Sequence, residues 1–113
     1  TSAGSEPRSM SAQDLKKMSS GENIALLDVR EQVEFKAFAI EGAINLPLTE
    51  LLEAARSGTL KALIERKIPV NAQKIVIYCT GYTRTVEAAR EIAPLEARSV
   101  YMLEGGISAW LTV

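Results

Sequence analysis

The fold is decided by the stretch KIVIYCTGYTRTVEAAREIA, residues 74–93 of the 113-residue chain. Its first part, Lys74 to Tyr78, is β-branched and apolar, which is typical of a strand buried in a sheet. Its last part, Thr85 to Ala93, places small apolar residues at helical spacing and ends before Pro94. A strand that leads through a short loop into a helix predicts one unit of an α/β domain, with Cys79 at the carboxyl end of the strand.

The flanking sequence repeats this alternation. Further strands are predicted at Ile24–Val29, Gly42–Pro47 and Ser99–Leu103. Helices are predicted after Ser11 and over Glu31–Phe38, Leu48–Arg56, Leu60–Ile64 and Ile107–Leu111. We expect Ser11 and Thr49 to cap their helices and Val33 and Phe35 to pack inward. The alternation predicts an α/β fold with a mostly parallel sheet.

Composition limits the classes of function. Apolar residues make up 47% of the chain, charged residues 24%, and the formal net charge is −1. No basic excess points to nucleic acid or an anionic membrane as a partner, and no apolar run approaches the ~20 residues of a membrane helix. We expect residues 1–7 to be disordered and residues 8–113 to form a single domain. We expect a cytoplasmic location, and a periplasmic one stays open because the native N-terminus is not visible.

The chain has one cysteine and no histidine. A single cysteine excludes an internal disulfide, and the lack of histidine excludes a Ser-His or Cys-His catalytic pair. A metal site built from cysteine and histidine is excluded for the same reason, and we expect neither a metal nor a cofactor. If Cys79 is a nucleophile, a group other than histidine must stabilise its thiolate.

The loop from Cys79 to Arg84 has the features of an anion cradle. A loop that enters a helix presents free backbone N–H groups and the positive end of the helix dipole, which together stabilise a thiolate. Glycine lets the backbone turn tightly, and the arginine guanidinium can bind an oxyanion through two N–H groups. We therefore interpret Cys79 as the nucleophile. The candidate substrate-binding residues are Thr80, Gly81, Tyr82, Thr83 and Arg84.

Each of these residues also has a purely structural interpretation. Cys79 would be an inert core cysteine, and Arg84 a solvated residue of the first helical turn. Thr80 and Thr83 would be simple caps, and Tyr82 a surface aromatic.

Four stretches, taken in order, resemble the rhodanese family. They are Leu26-Leu27-Asp28-Val29-Arg30-Glu31 with Glu34-Phe35, Ala39 to Pro47, Ile77 to Arg84, and Tyr101 to Trp110. The resemblance implies a rhodanese-like α/β fold, with a five-stranded parallel sheet and helices on both faces. It also implies that Cys79 accepts a sulfane sulfur as a persulfide and passes it to cyanide or a thiol. The backbone amides of residues 80–84 would hold the outer sulfur, and Arg84 would attract an anionic donor such as thiosulfate. A protein persulfide is a further candidate partner.

The chain departs from the family pattern at three places. Ala39 replaces a histidine, and Glu41 replaces a proline. The loop glycine of many members is third after the cysteine, whereas Gly81 is second and Tyr82 takes the usual glycine position. The displaced glycine makes the shape of the loop the open question.

Two residues upstream of the loop, Asp28 and Arg30, are candidates for supporting the residues that bind the substrate. In the functional interpretation, Asp28 and Arg30 lie near the mouth of the active site. In the structural one, Arg30 forms an ion pair with Glu34, and Asp28 caps the turn after its strand. Gly105, Gly106 and Trp110 are interpreted as structural.

Two other functions compete with sulfur transfer. One is a noncatalytic rhodanese-like module that binds another protein. The other is a cysteine-loop phosphatase or arsenate reductase. A phosphatase loop places five residues between cysteine and arginine, whereas four intervene here, from Thr80 to Thr83. The smaller ring better suits a single sulfur atom.

Overall fold

The computed structural model describes residues 6–18 and 23–113. Within them, five strands are formed: β1 (Arg8–Met10), β2 (Ile24–Asp28), β3 (Ile44–Asn45), β4 (Lys74–Tyr78) and β5 (Ser99–Leu103). The helices are α1 (Ala12–Met18), α2 (Gln32–Ala37), α3 (Leu48–Ser57), α4 (Leu60–Lys67), α5 (Thr83–Ile92) and α6 (Gly106–Trp110), and a 3-10 turn over Ala93–Leu95 follows α5. The strands lie in the order β1-β5-β4-β2-β3, and every pair is parallel. The predicted α/β fold with a parallel sheet is confirmed, and β1 is a strand that the local sequence pattern did not predict.

Two apolar layers cover the sheet because successive side chains of β4 point to opposite faces. Ile75 and Ile77 are fully buried in a layer built with α3, α4 and α5. Val76 and Tyr78 are fully buried in a second layer that includes residues of α1 and α6. Burial of each large apolar side chain contributes about 1.5–3 kcal/mol. Helices therefore pack on both faces of the sheet, as expected.

Helix α2 lies outside both layers, which corrects one prediction. Val33 is 76% exposed, Phe35 is only partly buried, and α2 contains no buried residue. Polar contacts hold the helix instead. In one of them, the backbone N–H of Glu31 donates a hydrogen bond to the carboxylate of Glu34 at 3.0 Å. The apolar spacing of α2 therefore did not mark a core face.

The two predicted caps have opposite outcomes. The Ser11 hydroxyl accepts a hydrogen bond from the Asp14 backbone N–H at 3.0 Å, which confirms that cap. Thr49 is not a cap because α3 begins one residue earlier, at Leu48, directly after Pro47. The Thr49 hydroxyl instead donates to the Glu31 carboxylate at 3.2 Å.

The parallel register brings the ends of β2 and β4 to the same edge of the sheet. Asp28 is aligned with Tyr78, so the loops that follow β2 and β4 start side by side. The Val29 N–H continues the pairing by donating to the Tyr78 carbonyl at 3.0 Å.

Across residues 6–18 and 23–113, no helix is both long and apolar enough to cross a membrane. The segment predicted to be disordered, residues 1–7, lies mostly outside the described residues.

Candidate active site

The loop after β4 is fixed on one side by the start of α6. The Ile107 N–H donates to the Cys79 carbonyl at 2.9 Å, and the Ser108 N–H donates to the Thr80 carbonyl at 3.4 Å. These donors belong to the first turn of α6, where backbone N–H groups have no partner within the helix. The end of the chain therefore positions the loop that carries the cysteine.

Gly106 brings three loop carbonyls together. A Cβ on this residue would lie 2.3 Å from the Cys79 oxygen, 2.5 Å from the Gly81 oxygen and 2.6 Å from the Thr80 oxygen. Gly106 also has a φ of +55°, in the left-handed region that favours glycine. The close approach and the backbone conformation both require glycine here. Sequence reasoning treated this residue as an ordinary turn glycine.

The same arrangement leaves the loop amides free on the opposite side. Every peptide bond of the described chain is trans, so each C=O points away from the N–H of the next residue. The carbonyls of residues 79–81 face Gly106, and the N–H groups of Thr80, Gly81 and Tyr82 therefore face away from it. Within the described residues, none of these three N–H groups donates a hydrogen bond to a backbone group, and no side chain caps the start of α5. The loop thus presents a row of unpaired amide donors that suits an anion.

Cys79 follows β4 directly and is 2% exposed. It is a free thiol, packed in the same apolar layer as Ala88 and Ala89 of α5. A thiol this buried can meet only a slender reacting group, such as a terminal sulfur atom.

Arg84 is bound to a carboxylate. Its Nη1 lies 2.7 Å from Glu34 Oε1 and its Nη2 lies 3.2 Å from Glu34 Oε2, so both arms of the guanidinium are engaged. Nη2 also reaches the Thr80 hydroxyl at 3.4 Å. The hydrogen bond to Glu34 raises the pKa of Arg84, and the nearby Cys79 adds a smaller electrostatic contribution. The cation expected to attract an anionic donor is therefore already paired.

Glu34 is the site residue whose role sequence reasoning missed. Arg84 lowers the pKa of the Glu34 carboxyl to about 2, so this side chain is charged at neutral pH. The two residues are 50 positions apart, and no local pattern could pair them. The available signal was the Glu34-Phe35 pair in the first of the resembling stretches.

Comparison with known proteins identifies the family of the chain. A family model described as "Rhodanese-like domain" matches residues 11–112. The chain belongs to the rhodanese-like domain family. Its single α/β fold and its relation to sulfurtransferases follow from this membership.

Similarity to individual members of the family is moderate. The chain is 28% identical over 111 residues to the mouse thiosulfate sulfurtransferase/rhodanese-like domain-containing protein 3, covering 96% of this chain and 71% of that one. It is 30% identical over 98 residues to a tRNA uridine(34) hydroxylase of Buchnera aphidicola, covering 87% of this chain but only 30% of the hydroxylase. The human single-domain sulfurtransferase TSTD1 has a similar structure, with a TM-score of 0.73, 25% identity, and coverage of 92% of this chain and 95% of that one.

In this rhodanese-like domain, Asp28 and Arg30 form a buried ion pair beside the loop. Arg30 Nη2 lies 2.7 Å from Asp28 Oδ2, and Nε lies 3.1 Å from both carboxylate oxygens. Asp28 also accepts the Arg30 backbone N–H at 2.9 Å, so the predicted cap of the turn is confirmed. The predicted partner of Arg30, Glu34, was wrong because Asp28 takes the guanidinium. The Phe38 carbonyl accepts a further hydrogen bond from Arg30, so the pair ties β2 to the end of α2.

The remaining loop residues of the rhodanese-like domain have distinct surroundings. Thr80, Gly81 and Thr83 are exposed, and Tyr82 is partly buried. The Tyr82 hydroxyl lies 2.8 Å from the Ser9 hydroxyl and 3.9 Å from the Met102 sulfur, so this side chain reaches β1 and β5. Tyr82 is therefore anchored to the sheet edge and is not a free surface aromatic.

The glycine of the loop is not conformationally required. Gly81 is absent from the positive-φ residues of the described chain, and a Cβ on it would meet nothing within 4 Å. Neither a positive φ nor close packing at Gly81 therefore requires glycine. Tyr82, at the usual glycine position, has φ of −144° and ψ of −26°, so its φ lies outside the left-handed region that favours glycine.

Thr85 is a further feature that the sequence did not indicate. It is fully buried in the first turn of α5, and its hydroxyl has no hydrogen-bond partner. Among the described residues it is the one buried side-chain oxygen or nitrogen left unpaired. A buried hydroxyl without a partner costs about 1–3 kcal/mol.

Proposed function

We propose that this chain is a sulfurtransferase that moves a sulfane sulfur through a persulfide on Cys79. In the first step the Cys79 thiolate attacks the terminal sulfur of a donor such as thiosulfate. An S–S bond forms to Sγ, the S–S bond of thiosulfate breaks, and sulfite leaves with the electron pair. In the second step cyanide or a thiolate attacks the outer sulfur, which releases thiocyanate or a new persulfide and regenerates the thiolate.

The observation that carries this proposal is the row of unpaired amides in residues 80–82. A persulfide places a negatively charged sulfur one bond beyond Sγ, within reach of a loop that follows the cysteine directly. Free N–H groups and the start of α5 stabilise such a charge without histidine or metal. The carbonyls of residues 79–81 face Gly106, and those of Cys79 and Thr80 accept hydrogen bonds from α6, so the donors keep their direction during turnover.

The spacing from cysteine to arginine favours sulfur over phosphate. Four residues separate Cys79 from Arg84, and the guanidinium of Arg84 is occupied by Glu34. A phosphatase needs that guanidinium free to bind two oxygens of a tetrahedral group. A single sulfur atom needs only the amides. The names of the mouse and human relatives, which include sulfurtransferases, support the same choice.

The test follows thiocyanate released from cyanide, with thiosulfate or an alkyl persulfide as donor. We expect activity in the unmodified protein and none in Cys79→Ser, because this removes the only thiol of the chain. The matched control is Glu53→Gln, which changes an exposed ion pair on α3 and leaves the loop untouched. Intact-mass spectrometry after the donor alone should show one added sulfur atom, absent from Cys79→Ser. Activity that survives in Cys79→Ser would refute the mechanism.

A noncatalytic binding module is the second candidate, favoured by the burial of the cysteine. Cys79 is only 2% exposed, and the arginine of the loop is already paired. Such a module would show no sulfur uptake on Cys79 with any donor and no turnover. That combined result would select it over the enzyme.

A further inference from the structure

The pairing of Arg84 with Glu34 bears on which sulfur donors the loop can use. Both guanidinium arms face the carboxylate at 2.7 and 3.2 Å, and the two side chains remain about one third exposed, at 32% and 35%. The pair therefore lies at the surface of the loop, where an incoming donor meets it. An anion that sought the guanidinium would have to displace Glu34.

A second carboxylate adds to the negative charge at this position. Glu31 is close enough to Arg84 to act on it electrostatically. Arg30 also acts on Glu34, but Arg30 is itself bound to Asp28, so three carboxylates face two guanidinium groups. A dianion such as thiosulfate would approach a region whose charge is neutral to negative, which disfavours its binding.

Resting on the proposed function, we infer that Glu34 determines donor specificity by occupying Arg84 and so selecting against small dianionic donors. Donors whose attached group is neutral or cationic meet no such barrier. Persulfides of small aminothiols have this chemistry: the Cys79 thiolate takes the terminal sulfur, the S–S bond of the donor breaks, and the aminothiolate leaves with the electron pair. Glu34 acts through Arg84 and is a specificity-determining residue with no part in bond making.

The variant Glu34→Gln isolates the charge. Glutamine can still accept the backbone N–H of Glu31, as in a glutamine capping box, so the start of α2 is kept. Kinetics are measured with thiosulfate and with cysteamine persulfide, using cyanide as acceptor. We expect the KM for thiosulfate to fall by up to about fivefold, which corresponds to the contribution of one exposed charge, with little change in kcat. The KM for cysteamine persulfide should stay the same or rise.

Two further variants separate this role from general effects. Glu53→Gln makes the same chemical change in an exposed pair on α3 and should alter neither donor. Arg84→Ala should reduce the gain, so that Glu34→Gln lowers the KM for thiosulfate less in the Arg84→Ala background than in the wild-type protein. This double-mutant cycle requires the effect of Glu34 to pass through Arg84.

The outcomes distinguish this inference from the function on which it rests. Active wild-type protein whose preference between the two donors is unchanged in Glu34→Gln would overturn the inference alone. A gain for thiosulfate that is undiminished in the Arg84→Ala background would also overturn it. Wild-type protein inactive with both donors would overturn the proposed function and the inference together.

Discussion

Among substitutions of glycines outside the cysteine loop, Gly106→Ala is expected to disturb the loop most. The added Cβ would lie 2.3–2.6 Å from three carbonyl oxygens of the loop. Contacts this short cannot form, and all three partners are backbone atoms that cannot rotate away. Either α6 or the loop must move, and with it the hydrogen bond from Ile107 to the Cys79 carbonyl.

The magnitude follows from two additive costs. Alanine in the left-handed region costs about 1–2 kcal/mol relative to glycine. Overpacking of a closely packed site adds about 1–3 kcal/mol. We therefore expect Gly106→Ala to lower the free energy of unfolding by about 2–5 kcal/mol. The proportion of the protein that stays folded should have lost most sulfur uptake, because the loop amides are displaced.

Two other glycines provide matched controls. Gly58 has a φ of +79° with open space around it, so Gly58→Ala pays only the backbone cost of about 1–2 kcal/mol. Gly81 lies in the loop itself, but it has no positive φ and no close neighbour at its Cβ position. Gly81→Ala should therefore keep both stability and activity. Urea denaturation followed by circular dichroism gives the free energies, and mass spectrometry gives sulfur uptake. If Gly106→Ala were no less stable than Gly58→Ala, the convergence of carbonyls on Gly106 would be refuted.

Three further predictions concern the polar groups around the loop. Thr85→Val keeps the shape and removes the unpaired buried hydroxyl, so the free energy of unfolding should rise by about 1 kcal/mol; a loss would reveal a hydrogen-bond partner. Asp28→Asn leaves Arg30 buried without its counter-charge and should cost about 3–5 kcal/mol in urea unfolding, whereas Arg56→Ala, in an exposed pair, should cost less than about 0.5 kcal/mol. The pKa of Glu34 is lowered from 4.5 to about 2, so its stabilising contribution is present above pH 4.5 and is lost as the pH falls towards 2. The stability difference between wild type and Glu34→Gln should shrink over that range, and a difference independent of pH would contradict the ion pair.

The strands were predictable wherever burial dominates the local sequence. The bounds of β4 and β5 match their predicted residues, because β4 is a buried β-branched and aromatic run and β5 buries Val100 and Leu103 in the sheet. β1 was not predictable in this way, since Arg8 and Ser9 are exposed and only Met10 is buried. Its pairing with β5 is a long-range event that three residues of sequence do not encode.

The candidate site shows the same difference between local features, which could be predicted, and long-range contacts, which could not. The loop could be predicted because it follows a clear strand and precedes a clear helix, and both features are local. The contacts that give the loop its properties join distant parts of the chain: Gly106 to the carbonyls, Glu34 to Arg84. Helix α2 shows the difficulty most clearly, since Val33 has core-like spacing yet is 76% exposed. The position of α2 depends on the Glu34 carboxylate, which binds Arg84 after the loop, and not on the burial of apolar side chains.

The displaced loop glycine left the shape of the loop as the open question. The structure explains the displacement, because the residue that must be glycine is Gly106, outside the loop. A loop whose carbonyls must converge needs room on the carbonyl side, and Gly106 supplies that room from outside the loop. Once it does, the loop itself needs no residue with a positive φ, and none of its residues has one. Tyr82 then occupies the usual glycine position with a negative φ and uses its hydroxyl to reach Ser9 on β1. The departure at Tyr82 therefore leaves the amide row intact, and the donor specificity of the loop depends instead on the pairing of Arg84 with Glu34.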